Sequence, residues 1–203
     1  MTGLHPDTAL NGRPGNTSRT PAMDYIDSLI TRSADFAQQD FNPALRMLPS
    51  SKSLIIGCVD PRVDPAKIFA LEQGEVGILR NIGGRVTPAM IETLALLNDV
   101  ARGAGGRMGP EAHVILLHHT DCGIDHCRHL APDLLARHMG VAPEALDEQA
   151  IADPHASVAR DVATLMAHPD VVGERSVSGL VYDVATGSVE VIVPPTRVSR
   201  QQR

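Results

Sequence analysis

The chain has 203 residues, 43% of them hydrophobic, enough for one good-sized domain with a substantial core. Aromatics make up only 2% and there is no Trp, so that core must be built mostly from Ala, Val, Leu and Ile. A formal net charge of -6 argues against nonspecific nucleic-acid binding, which needs a basic face, and no apolar stretch approaches the roughly 18 residues of a membrane span.

Residues 1–21 are rich in Gly, Pro, Asn and Thr and read as a flexible tail, or an arm that orders only on a partner. They contain no apolar signal core, so no export is expected. Residues 22–203 read as a single domain. From Ala22 to Met47 apolar residues recur at helical spacing (Ile26, Leu29, Ile30, Ala34, Ala37), and Pro43 interrupts them, which allows one long helix or two shorter ones. Ser53 to Cys58 is a short apolar run bounded by Gly and Pro, the pattern of a buried strand. Asp64-Pro65 opens a helix with Asp as N-cap and Pro in the first turn. Glu75 to Arg80 is a second strand. Thr87-Pro88 caps a helix running to about Arg102. Gly103 to Pro110 contains four Gly and is a loop, and His113 to His118 is a third strand. Leu146 to Met166 has a helical pattern. Gly179 to Ala185 and Ser188 to Val193 flank Thr-Gly and look like a late hairpin. Strands alternating with helices predict an α/β fold. Its central sheet is mostly parallel and flanked by helices, with a helical arm before it and an added strand or hairpin after it. There is no internal repeat.

Cys58, Arg80 and His119 fall at or just past predicted strand ends, where open α/β sheets collect their chemistry. Cys58, His119 and Cys122 offer two soft thiolates and one imidazole, a zinc-type set. Three protein ligands leave a fourth position for water or substrate, which is the pattern of catalytic rather than structural zinc. His119 and Cys122 are three apart, so one turn can aim both at one ion. Chance alone supplies such a trio among three Cys and nine His, but it does not supply the shared strand-end placement. Asp60 follows Cys58 by two residues and Arg62 follows Asp60 by two. Asp60 can take the fourth metal position, or stay off the metal and accept a hydrogen bond from a water there. A bidentate pair with Arg62 favours the second. The plainer reading of Asp60-Pro61 is a turn, with Arg62 a surface cation.

Cys58-Val-Asp60-Pro61-Arg62, Arg80-Asn81-Ile82-Gly83-Gly84-Arg85-Val86-Thr87-Pro88 and His119-Thr120-Asp121-Cys122-Gly123 together resemble the β-class carbonic anhydrases, in their small prokaryotic branch. The resemblance covers roughly residues 50 to 195, including Tyr182-Asp183-Val184-Ala185-Thr186-Gly187. It implies one zinc per chain on Cys58, His119 and Cys122, an Asp60–Arg62 dyad, and reversible hydration of carbon dioxide to bicarbonate and a proton. It also implies a pocket lined by exposed backbone groups of Gly83 and Gly84, and a homodimer or larger homo-oligomer with sites near the subunit interface. Hydrolysis of carbonyl sulfide or carbon disulfide is the alternative on the same ligands. A structural-zinc or thiol-sensing protein is the alternative of another class. Two metal-held thiolates suit a reducing cytoplasm. Three positions depart from the family. Pro61 stands where Ser or Ala is usual and removes a backbone N–H beside the dyad. Ile82 replaces a common Ala. His118 replaces a common Gly, and as a strand neighbour of His119 it should point the opposite way. The lack of Trp excludes a Trp-dependent bicarbonate regulatory pocket. Cys127 reads as a small core residue, and His126 and His129 as surface residues of the same helix.

Overall fold

The computed structural model describes residues 21–106 and 109–198. The expected tail, residues 1–21, lies outside them except for Pro21. The chain divides into two compact units, one ending at Ala44 and one starting at Leu45. In the first, helix α1 (Pro21–Gln39) ends four residues before Pro43, so the single-helix and two-helix expectations resolve to one shorter helix. Met23, Tyr25, Ile26, Leu29, Ile30 and Phe36 on it are all exposed.

The second unit is built around a five-stranded sheet. Strand β1 (Ser53–Cys58) is buried along its whole length, as its apolar run requires. Helix α2 (Pro65–Ile68) follows, and the Asp64 carboxylate accepts from Ala66 N as its N-cap. Strand β2 (Val76–Asn81) starts one residue later than expected. Helix α3 (Pro88–Gly103) starts on the predicted Thr87 cap. Strand β3 (His113–His119) carries one more His than expected. Short helices α4 (Ile124–Leu130) and α5 (Pro132–Met139) come next. The pattern from Leu146 to Met166 is not one helix. Single 3-10 turns at Pro143–Ala145 and Asp147–Gln149 precede α6 (Pro154–Met166). Ala150 sits at φ 51, which no helix tolerates, and Asp153 then caps a fresh start by accepting from His155 N and Ala156 N. Helix α7 (Pro169–Val172), strand β4 (Ser176–Tyr182) and strand β5 (Val189–Arg197) close the fold.

The strand order is β2-β1-β3-β4-β5, parallel except for the β4–β5 hairpin. Side chains alternate across it. Leu54, Ile56, Val114 and Leu116 face Met90, Leu94, Val158 and Leu165 of α3 and α6. Ile55 and Leu117 face the other way, toward Val63. Both faces are therefore covered, as a parallel sheet needs. A smaller cluster of Ile124, Leu135, Met139 and Ile151 lies beyond the strand ends, with Cys122 and Cys127 packed against it.

Candidate metal centre

The parallel register brings Gly57 beside Leu117. Cys58 and His119, at the ends of β1 and β3, therefore leave the sheet at the same edge. Asp121 adopts φ 53, a left-handed turn that Asp tolerates better than most residues, and this swings Cys122 back toward them. The ligand atoms of Cys58, His119 and Cys122 all lie within 4.8 Å of one another. The two Sγ atoms are 3.8 Å apart. Two sulfurs at zinc–sulfur bond length and a tetrahedral angle are separated by about 3.8 Å, so the spacing fits. His119 Nδ1 donates to Thr120 O at 2.8 Å, which turns the lone pair of Nε2 toward the sulfurs. That Nε2 is buried and has no hydrogen-bond partner. An orphaned imidazole nitrogen beside two thiols is the donor set a zinc ion needs.

The facing sulfurs shift each other's acidity in opposite directions. The Cys122 thiol facing Cys58 lowers Cys58 to about 4, against the opposing effect of burial, and the same contact pushes Cys122 up. Burial works against a charged His119, but the Cys58 thiolate outweighs it and raises the imidazole. A dication would displace these protons and hold both sulfurs as thiolates.

Asp60 sits beside this cluster. Its backbone N–H donates to Cys58 Sγ at 3.4 Å. Its carboxylate takes the Arg62 fork, with Nε to Oδ1 at 3.1 Å and Nη2 to Oδ2 at 2.7 Å, plus Arg62 N to Oδ1 at 2.9 Å. Chiefly because of these bonds, the carboxyl is held at about 2. Arg62 also reaches Asp121, by Nη1 to Oδ2 at 2.7 Å and Nη2 to the backbone oxygen at 2.9 Å. The sequence reading found the Asp60–Arg62 pair but not this second carboxylate, although its place between His119 and Cys122 was a usable signal. Arg80 staples the loop after Cys58, donating to Cys58 O and Asp60 O at 2.7 Å and to Val63 O at 3.1 Å. It positions the loop and stays off the ligand atoms.

Gly83 and Gly84 are both buried, at φ 76 and 64. Gly83 lines a cavity of about 170 Å³ together with His119, Cys122, Ile124 and His126. Gly84 packs close to the β1 backbone, where a Cβ would meet Gly57 C at 2.9 Å and Cys58 N at 3.0 Å. Gly84→Ala is expected to cost about 2–4 kcal/mol from strain and overpacking, and to disturb Cys58. Urea denaturation checks this against Gly123→Ala, whose new Cβ meets nothing within 4 Å. Equal stability of the two variants would refute it.

His118 points away from His119, as strand alternation predicts. Its Nδ1 lies 2.7 Å from Ser157 Oγ and its Nε2 lies 3.4 Å from Asp161 Oδ2. Asp161 is buried and also takes Arg85 Nε at 2.8 Å, Arg85 Nη2 at 3.0 Å and Val86 N at 2.9 Å. Sequence reading missed this cluster, because nothing local ties residue 85 to residue 161. Cys127 stays apart from the ligand atoms, its Sγ 3.9 Å from Gly123 O.

A carbonic anhydrase family model matches residues 53–131. Beta-carbonic anhydrase 1 of Mycobacterium tuberculosis is 30% identical over 177 residues, which span 85% of this chain and all of that protein. The crystal structure of a carbonic anhydrase from Streptococcus mutans is 29% identical, with a TM-score of 0.65 over 83% of this chain and 97% of its own. A carbon disulfide hydrolase is 22% identical, with a TM-score of 0.52 over 83% and 90%, and shares the fold.

Proposed function

Because the chain belongs to the β-carbonic anhydrase family, we propose that it interconverts carbon dioxide and bicarbonate on a zinc ion held by Cys58, His119 and Cys122. The observation that carries this is the convergence of those three ligand atoms beside an ionised, Arg-clamped Asp60. When bound, zinc supplies Lewis acidity that makes water nucleophilic near neutral pH. Asp60, held at about 2, is an acceptor at every working pH, so it accepts the hydrogen of the attacking oxygen and aligns that oxygen's free lone pair. Arg62 holds Asp60 in place, which would keep its carboxylate off a metal held by the three ligands, and Asp121 holds Arg62. The Gly83 backbone and Ile124 leave a cavity sized for a small substrate. Asp60→Asn should keep its zinc and lose about a hundredfold in kcat/KM, since an amide turns an N–H toward the oxygen that needs an acceptor. Metal analysis beside stopped-flow hydration measures both, and an unchanged kcat/KM refutes the role.

Carbonyl sulfide or carbon disulfide hydrolysis uses the same ligand chemistry and is the second reading; the hydrolase neighbour supports it at the level of fold. A structural or sensing zinc site has no use for an ionised Asp beside an open ligand position. Hydration of carbon dioxide, carbonyl sulfide turnover and carbon disulfide turnover, measured side by side on metal-quantified protein, separate the three. A fully zinc-loaded enzyme that does not hydrate carbon dioxide overturns the first reading.

The working form is a homodimer or larger, in a reducing cytoplasm that keeps the thiols free. Six large apolar side chains on α1 are exposed, a patch that single soluble chains rarely leave uncovered. Among the described residues no helix is long and apolar enough to cross a membrane. A second copy is the fitting cover. Sedimentation at micromolar concentration should give a dimer or more, and Ile26→Glu with Ile30→Glu should shift it toward monomer. A stable, active wild-type monomer would rule this out.

A further inference from the structure

Arg175 is 2% exposed, yet no salt bridge reaches it among the described residues. It lies just before β4, whose first residue Ser176 is in register with His113 at the start of β3. His119 ends that strand six residues on, so Arg175 sits at the sheet edge opposite the metal centre, about 20 Å away. Its Nε donates to Val172 O at 2.9 Å and its Nη2 to Val171 O. Both acceptors are neutral. Asn98 Nδ2 also donates to Val171 O, at 2.8 Å, which ties α3 to the same corner.

A buried cation normally has a counter-charge, because neutral acceptors recover only part of its lost hydration. Here burial acts on the guanidinium and lowers its pKa. Beside it the described residues leave a space. A cavity of about 200 Å³ lies between α3 and α7, lined by Asn98, Ala101, Arg102, Val171, Val172 and Arg175. None of its described lining residues is acidic. Arg102, at its mouth, is exposed and pairs with Asp99 one turn earlier. A second cavity of about 260 Å³ also touches Arg175, but its other described walls, which include Leu48, Leu54 and Leu97, supply no charge.

We propose that the cavity between α3 and α7 binds a small inorganic oxyanion, of the phosphate, sulfate or bicarbonate class, with Arg175 as its buried anchor and Arg102 as its solvent-facing second contact. The guanidinium is fixed by Val171 and Val172, so it is preorganised to present its remaining N–H groups to an anion. Two arginines, with no carboxylate among the described lining residues, favour negative charge, and the size of the cavity selects a compact anion.

The test uses the full-length, metal-loaded enzyme. Phosphate, sulfate and bicarbonate are titrated separately over chloride at constant ionic strength, with melting temperature and calorimetry as readouts. At least one should bind saturably and raise the Tm, and the tightest of the three arms identifies the anion. Arg102→Gln, at an exposed position, should weaken that binding about tenfold. Arg175→Met should abolish it; if that variant does not fold, Arg102→Gln decides alone. Anions that bind only at the metal centre would bind Arg102→Gln as tightly as wild type, and that result overturns the proposal. So does the absence of saturable binding by all three anions.

Discussion

Cys122→Ser is expected to bring zinc content and carbon dioxide hydration down together, the second by roughly a thousandfold or more. Groups that merely orient a metal ligand already cost about 10–100-fold when removed, so a direct ligand must cost more. Serine is nearly the same size, but its oxygen is a harder donor and, unlike a thiol, does not ionise near neutral pH. The 3.8 Å spacing of the two sulfurs shows how little slack the site has. An oxygen ligand needs a shorter metal bond, and Cys122 is anchored by the turn at Asp121 and by packing against the cluster around Ile124. Cys127→Ser is the control, because Cys127 packs against the same cluster without reaching the ligand atoms, and it should keep its zinc and activity. Elemental analysis beside stopped-flow kinetics measures the effect, with circular dichroism to show that the fold persists. Full zinc occupancy in Cys122→Ser would remove this residue from the ligand set.

The parts of this molecule that were legible in sequence are those fixed by local chemistry. Ser53–Cys58 reads as a buried strand because six residues without a charge fit only where both sheet faces are covered, and β1 is buried throughout. Thr87-Pro88 reads as a helix start because a hydroxyl acceptor followed by a residue lacking N–H suits that position and few others. The stretch from Leu146 was illegible for the converse reason. Its apolar residues keep helical spacing, but they pack on separate short turns, and only the left-handed Ala150 and the Asp153 cap reveal the break. Helix α5 went unread although Pro132 at its start and Gly140 at φ 70 past its end are its local signals.

The metal cluster was legible because two thiolates and an imidazole fall together at converging strand ends. Its supports were not. Arg80 gripping Cys58 O, Asp121 gripping Arg62 and Gly84 packed on Gly57 are contacts between segments, and no spacing rule encodes them. The need for glycine at position 84 likewise comes from the close approach of another strand's backbone.

Asp161→Asn should destabilise the enzyme by about 3–5 kcal/mol at neutral pH, the usual cost of leaving one partner of a buried ion pair alone. Arg85 is 1% exposed, and among the described residues Asp161 is the only carboxylate paired with it. The same carboxylate receives Val86 N and faces His118, so it ties α6 both to the turn carrying Gly83 and Gly84 and to the strand carrying His119. Acid tests this independently. Burial would raise the Asp161 carboxyl, but His118 and Arg85 outweigh it and hold it at about 2, below the ordinary 3.8. A carboxyl depressed on folding contributes stability that is fully present above its unfolded value and is lost as pH falls through its folded value. The window therefore runs from about pH 4 down to about pH 2, and the lowering corresponds to about 2.5 kcal/mol. Asparagine has no such titration. Loss of zinc from protonating thiolates affects both proteins equally, so it cancels from the difference between them. Urea denaturation of wild type and Asp161→Asn should show a gap that narrows as pH falls below about 4. A gap that stays the same to pH 2.5 would mean that Asp161 is not the charge that stabilises Arg85.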